Sequence, residues 1–434
     1  MQLLTEHQIK RFVKRQIAIA VTSDFLSVTA GSIFSFAIGL HVLKDTNSIL
    51  AFGSLQMVGP VMALLFSSLI GQIADTYSHK HIIISAELIN LVMYGVYIVL
   101  VNQFPRHLYL WTILIVIWTN VSSRISGVAY QASVVSLVPT KDVQRLSGLE
   151  QASVSLAGII APVLGGILYA VVSFHMLVLI ILIESLVVLS ATMALNFHAF
   201  QQVPSKVAVV EEPSNQKSIR YWQFIRQALT QYPGLKFLTI FSPIVNFILS
   251  GLELLLSVLI IKDLHLSATA LGLSSAGIGI GSLIGGLLVA RHSNFKAPIK
   301  LTSLMGLACC IPLISIGSAS IVIRQATVLL TTVVLMNVIF GIVIMFANVP
   351  LTAYLVQSIP QNAQGRVFSA ISGITQVFSP LGILIYTGLL NAIPASQLLI
   401  MAGSLMLIAT ILLWLTIGRS QNQQVIQKIH ELNL

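Results

Sequence analysis

Long apolar runs separated by short polar segments dominate the chain. Twelve runs lie near 17–40, 50–70, 82–101, 108–131, 150–172, 175–197, 236–261, 267–290, 299–317, 325–348, 367–390 and 395–417. A membrane-spanning helix needs about 20 apolar residues, and these runs supply them. None alternates with period two, which sets them apart from barrel strands. In hydrocarbon every backbone N–H and C=O must pair within the segment, so each run predicts an α-helix. Short connections make successive helices antiparallel neighbours. The one long polar interruption, 198–235, holds Pro204, Glu211-Glu212-Pro213 and Ser214-Asn215-Gln216. It divides the chain into a six-helix half at 1–197, a linker, and a six-helix half at 236–434. In the linker Trp222, Ile225, Leu229 and Tyr232 fall at helical spacing beside Arg220 and Arg226. That pattern reads as a helix on the inner membrane face, or as a solvated connector with one amphipathic turn.

Composition removes the soluble alternative. The 434 residues are 56% hydrophobic and 8% charged, against roughly 25% charged in soluble domains. The bilayer is therefore the solvent. A net charge of +10 invites a nucleic-acid reading, but its distribution does not support one. With a cytoplasmic N-terminus, the inner segments hold Lys10, Arg11, Lys14, Arg15, Lys80, Lys141, Arg145, Arg366 and Arg419 among others, and the outer loops hold Lys44, Arg106, Lys262 and Arg324. This asymmetry follows the positive-inside rule, places both termini in the cytoplasm, and leaves no charge in need of a nucleic-acid partner. The first run follows a basic polar segment and exceeds a signal-peptide core, so it reads as an uncleaved helix. Adjacent Cys309 and Cys310 offer neither a disulfide framework nor metal-ligand spacing. Gly277, Gly279, Gly281, Gly285 and Gly286 mimic a nucleotide fingerprint, yet no strand precedes them and no Gly-Lys-Ser/Thr follows, so they read as helix packing. No metal cluster, cofactor motif or nucleophile–base constellation is present in the sequence, and no enzyme is read from it.

Between the second and third runs lies Gly71-Gln72-Ile73-Ala74-Asp75-Thr76-Tyr77-Ser78-His79-Lys80-His81, read as a polar turn. It resembles the signature loop between helices 2 and 3 of the major facilitator superfamily, Gly-x-Leu-Ala-Asp-Arg-x-Gly-Arg-Lys. Gly71, Ala74, Asp75 and Lys80 match, and Thr76 and Ser78 depart. The halves also repeat each other. Leu137-Val138-Pro139 followed by Arg145 reappears as Ser358-Ile359-Pro360 followed by Arg366, at one common offset, and each segment precedes a helix containing a proline, Pro162 or Pro380. The fifth run carries Ala157-x3-Ala161-Pro162-x2-Gly165-Gly166-x-Leu168, which is similar to the antiporter motif of drug-exporting branches with both early glycines replaced by alanine. The resemblance covers essentially the whole chain. It implies an all-α integral membrane fold, twelve helices in two pseudo-symmetric halves, with substrate handled between parallel repeats. It also implies a cytoplasmic conformational latch involving Gly71, Asp75, Lys80, Arg145 and Arg366.

Ionisable side chains in lipid are costly and are functional candidates by default. Asp24, Glu87, Arg124, Glu184 and Glu253 lie within the runs, and Glu150 lies at a boundary. Asp24 sits roughly 12 Å into its helix at 1.5 Å per residue. Small and polar residues line one face of several helices: Asp24, Ser27 and Gly31; Asn120, Arg124, Gly127 and Gln131; Asn246, Ser250, Glu253 and Ser257; Asn337, Gly341 and Asn348. The resemblance places helices 1, 4, 7 and 10 around a central cavity; small-residue helix packing is the competing reading. Asp24 and Arg124 are expected to pair, either as a static ion pair or as a proton switch, with Glu184 and Glu253 as alternative proton sites. Glu87 is expected to snorkel or cap near its helix end. The function expected is proton-coupled export of amphipathic or cationic drug-like compounds by a monomer in the cell membrane, without cofactor, as in macrolide-efflux-like antiporters. A siderophore, lysophospholipid, peptide or sugar carrier, or a non-transporting membrane sensor, is the alternative.

Overall fold

A computed structural model describes residues 6–197, 199–200, 226–291, 295–359 and 361–432. Among them, twelve helical segments are long and apolar enough to cross a membrane. They are α1 (Glu6–Thr46), α2 (Ile49–Thr76), α3 (His79–Gln103), α4 (Leu108–Leu137), α5 (Thr140–Val171), α6 (Phe174–Ala194), α7 (Leu235–Asp263), α8 (Ala268–Ala290), α9 (Pro298–Val322), α10 (Ala326–Ser358), α11 (Gln361–Leu389) and α12 (Ala395–Leu413). The all-α membrane architecture expected from the sequence is the one observed. Several helices outrun their apolar cores. At 41 residues, α1 is roughly 60 Å long, about twice the hydrocarbon thickness. The turn between α2 and α3 is shorter than expected, only Tyr77 and Ser78, because α2 continues through Thr76. Asp75 thus lies in the last helical turn rather than in a loop.

Contacts divide the chain into two compact units, Met1–Ser205 with Ser267–Ala276, and Lys206–Leu266 with Gly277–Leu434. The division falls within α8, whose first turns belong with the first unit.

In the first unit α1 is central, packing on α5, α6 and α2, while α3 lies against α4 and α6. Two apolar clusters fill it. One gathers Val13, Ile17, Ile82, Ile83, Leu137, Leu146 and Leu195 near the predicted cytoplasmic ends. The other gathers Ile33, Phe34, Ile38, Tyr94, Ile115, Ala161, Leu177 and Ile181. Side-chain hydrogen bonds fix the end of α6. Lys80 Nζ donates to the Met193 and Leu195 carbonyls at 3.3 and 3.2 Å, answering acceptors that a helix C-terminus leaves unpaired. Gln16 donates to the Asn196 carbonyl and accepts from its N–H. At α5, Gly165 lies under Phe36, and a Cβ on Gly166 would stand 2.6 Å from the Ala268 carbonyl oxygen.

In the second unit α7 packs on α11, and α9 packs on α10 and α12. The sequence predicts α7 as one run, but the helix breaks at Ser250–Gly251 and ends in wide π-type turns over Val258–Asp263. The Tyr386 ring fills the place of a side chain at Gly251, and its hydroxyl donates to the Ile248 carbonyl at 2.9 Å, pairing an acceptor that the break releases. The glycine stripe of α8 packs on α10. A Cβ on Gly277 would meet the Val334 carbonyl oxygen at 2.9 Å, one on Gly285 the Ile342 oxygen at 2.8 Å, and one on Gly281 would overlap the Val338 carbonyl. Small residues thus let two backbones approach where lipid offers no hydrophobic drive for association. Beyond α12 the chain continues through π-type turns into α13 (Arg419–Leu432). There Gln421 accepts from the Gly234 N–H at 2.8 Å and Asn422 from the Lys300 N–H at 3.1 Å, satisfying donors at the starts of α7 and α9.

Candidate functional site

Between the two apolar clusters of the first unit lies a cavity of about 560 Å³. It is polar because five helices change character at the same depth. On α1, Ala20 belongs to the inner cluster and Ala30 to the outer, and Ser23, Asp24 and Ser27 fall between. The same interruption puts Glu87 and Asn90 on α3, Ser123, Ser126 and Tyr130 on α4, Glu150 on α5, and Glu184 on α6 into the lining. Four carboxylates therefore share one cavity, and among the described residues no Lys, Arg or His lines it.

The acids fall into two pairs. Glu150 is close enough to Asp24 for their charges to interact, and Tyr130 is near both. Glu184 and Glu87 stand in the same relation, with Tyr94 near both. Glu87 is 7% exposed and Tyr94 6%; the Tyr94 ring is held edge-on against Phe34 at 5.1 Å. Asn90 is oriented by a 3.0 Å hydrogen bond from Trp118 Nε1. Asp24 Oδ2, Glu184 Oε1 and Ser126 Oγ are buried without a hydrogen-bond partner, as is Glu150 Oε1, and the Tyr130 hydroxyl is directed at the Glu150 carboxylate. Buried polar atoms are costly unless paired, so this set is arranged for something that binds there. Among the described residues no three His, Cys, Asp or Glu side chains are placed to hold a metal ion. The arrangement suits a proton, or an organic cation with donors to offer.

The expected Asp24–Arg124 pair is not formed. Arg124 does not line the cavity; its Nη2 points to the Gly59 carbonyl on α2 at 3.5 Å. Asn120, one turn away on α4, donates to the Val116 carbonyl at 2.9 Å, and its Oδ1 would contact a Cβ on Gly59. Arg124 and Asn120 thus face α2, where Gly59 admits them. Glu87 neither snorkels nor caps, since it is buried and turned into the cavity. Sequence reasoning counts Glu87 and Glu150 among the ionisable candidates but gives Glu87 a snorkelling or capping role and Glu150 none, and it passes over Tyr94 and Tyr130. A signal was present: Glu87, Asn90 and Tyr94 fall at i, i+3 and i+7, one face of α3.

Other expected residues stand elsewhere. In the second unit Asn246 Oδ1 is buried without a partner. Asn337 is buried, Glu253 is exposed, and Asn348 is exposed with its amide donating to the Ile344 carbonyl. Pro162 lies within α5. Gly71 and Asp75 fall in the last turns of α2, Arg145 is exposed near the start of α5, and Lys80 is engaged with the end of α6. The side chains of Asp75, Gln131, Lys141 and Arg366, and the residues Arg220, Trp222 and Ile225, lie outside the described part of the structure.

Twelve helices long and apolar enough to span, with an internal polar cavity among the described residues, define the class as a multi-pass membrane protein. A family model described as Major Facilitator Superfamily matches residues 21–383, and the chain belongs to that superfamily. It is similar to macrolide efflux protein A of Streptococcus pyogenes, at 22% identity over 387 residues, 88% of this chain and 91% of that one. It is also similar to macrolide efflux protein A of Enterococcus faecalis, at 23% identity, over 76% of this chain and 98% of that one. Among solved structures, a bacterial homologue of the iron transporter ferroportin in an inward-facing state has a TM-score of 0.71 at 13% identity, covering 94% of this chain and 98% of that one. A POT family transporter with a thioalcohol-conjugated peptide also scores 0.71 at 13% identity, covering 92% and 96%. At such identities the structural likeness speaks for the fold.

Proposed function

We propose that this transporter exports amphipathic, cationic drug-like compounds across the cell membrane in exchange for protons. The lining of the first-unit cavity carries this reading: four carboxylates, no basic side chain among the described residues, and apolar clusters on either side. A buried acid holds either a proton or a cation, because one poorly solvated site does not keep several like charges at once. Proton and cargo charge therefore compete within one cavity, and that competition is the physical basis of exchange. The relatives named for macrolide efflux support the same cargo class. One proton in for one monovalent cation out moves no net charge and is driven by the pH gradient; the membrane potential adds about 2.3 kcal/mol per 100 mV only for each proton beyond that balance. The Lys and Arg distribution supports cytoplasmic termini, and a monomer suffices because the cavity is built within one chain.

The test is proton movement driven by cargo. Purified protein is sealed into liposomes containing a pH-reporting dye, and ethidium is loaded inside. Ethidium leaving down its gradient should acidify the lumen at a rate that scales with the protein incorporated. Ethidium efflux through the protein with no change in luminal pH would contradict proton exchange.

A further inference from the structure

Four acids in one cavity are more than one monovalent cargo needs, and they are not equivalent. We propose that the cavity has two cation subsites with separate duties: Asp24 and Glu150, with Tyr130, receive the amine or other cationic group of the cargo, and Glu87 and Glu184, with Tyr94, hold the exchanged proton. This division rests on the exporter reading above and deepens it.

Geometry assigns the duties. Asp24 and Glu150 are both partly exposed to the cavity, and each keeps one buried oxygen without a partner. They lie on α1 and α5, lined by Ser23, Ser27 and Ser147. Small hydroxyl neighbours leave room for a bulky cation to approach. In the other pair Glu184 is likewise partly exposed with one buried, unpartnered oxygen, and the confined acid is Glu87. Glu87 and Tyr94 are each more than nine-tenths buried, the Tyr94 ring is wedged on Phe34, and Asn90 is held by Trp118. No hydrogen bond to the Tyr94 hydroxyl is found among the described residues, although the side chain lines the cavity. A hydroxyl that reaches the cavity beside two carboxylates, on a ring more than nine-tenths buried, suits a proton, and the enclosed Glu87 and Tyr94 side chains leave little room for an organic group. Among the described residues, the charged and titratable groups sharing the cavity with Glu87 and Glu184 are Tyr94 on α3, Asp24 on α1, Tyr130 on α4 and Glu150 on α5, with no Lys, Arg or His in the lining. A cation arriving at Asp24 and Glu150 brings positive charge near Glu87 and Glu184 and drives off the proton held there, and its departure lets a proton return to that pair. Cation binding must therefore release protons and strengthen as pH rises.

The experiment measures equilibrium binding of ethidium to the purified full chain, by fluorescence, with proton release followed in weak buffer. Wild type should release roughly one proton per ethidium bound and bind more tightly at about pH 8 than at about pH 6. Asp24→Asn with Glu150→Gln should weaken binding at least about tenfold, the loss expected for charge-assisted contacts. Glu87→Gln with Glu184→Gln should abolish proton release and make affinity the same at both pH values. Single substitutions Glu150→Gln and Glu184→Gln, each checked for monodisperse elution, give the same split if a double variant does not fold. The division is overturned if both sets lose affinity alike, or if the Glu87/Glu184 set still releases protons. A wild-type protein that binds no cation at either pH overturns the exporter reading as well; wild-type binding with proton release, and variants that do not divide, overturns the division alone.

Discussion

A carboxylate inside a membrane protein is kept only where something answers its charge, and in this chain each buried acid is answered differently from its sequence neighbours. Asp24 faces an open cavity, whereas Arg124, which has the opposite charge and comparable depth, turns to a backbone carbonyl on α2. The determining contact is Gly59. It admits Asn120 and leaves its carbonyl available to Arg124, so α4 presents its strongest polar groups to α2 and its serines to the cavity. A single sequence lists which residues are polar and not which neighbour has space for them, and the Asp24–Arg124 pairing failed for that reason. Lys80 is the clearest residue-scale case of polar satisfaction, closing two carbonyls at the end of α6. Lys80→Ala should cost about 1–2 kcal/mol, the loss of charge-assisted hydrogen bonds at a helix C-terminus. The check is a lowered thermal midpoint in detergent; an unchanged midpoint would show that the contact contributes nothing to stability.

Helix existence was legible for a physical reason that holds at the scale of the element. Hydrocarbon forces every run to satisfy its own backbone, so twelve apolar runs give twelve spanning helices whatever their tertiary partners. Ends and interruptions were less legible. Apolar runs mark the lipid-facing length, and helices continue beyond it wherever hydrogen bonds do, as α2 does through Asp75. The break in α7 depends on Tyr386 from another helix, which no local pattern reveals. The glycines of α8 make a sharp element-scale prediction. Gly281→Ala drives a methyl into the Val338 carbonyl on α10, whereas Gly286 has open space. Overpacking of this kind costs about 1–3 kcal/mol, so Gly281→Ala should lower the thermal midpoint and the yield of monodisperse protein, and Gly286→Ala should match wild type. Equal behaviour of the two would refute close α8–α10 packing.

For the molecule as a whole, the informative pattern is a layer. In α1, α3, α4, α5 and α6 the core residues form an inner and an outer apolar cluster, and the polar residues between them converge on one acid-lined cavity. Read helix by helix, the acids looked like separate candidates, and Glu87 and Glu150 looked peripheral. Compared at equal depth across the unit, they belong together, and that comparison needs helix ends and packing partners as well as residue types. On the proposed reading the layer ties the superfamily fold to a cargo class, because a lining whose charged members, among the described residues, are carboxylates favours cations and protons over anionic metabolites. Asp24→Asn should therefore abolish gradient-driven export of a cation, and normal export by that variant would move the cargo site away from this cavity. The measurement that bears most directly on the whole is ethidium flux into everted membrane vesicles, with and without an ionophore that collapses the proton gradient. Vesicles carrying the protein should accumulate ethidium, the ionophore should stop it, and vesicles lacking the protein should not accumulate it. Accumulation that is the same with and without the protein, or that persists after the gradient is collapsed, would contradict proton-driven export of cations.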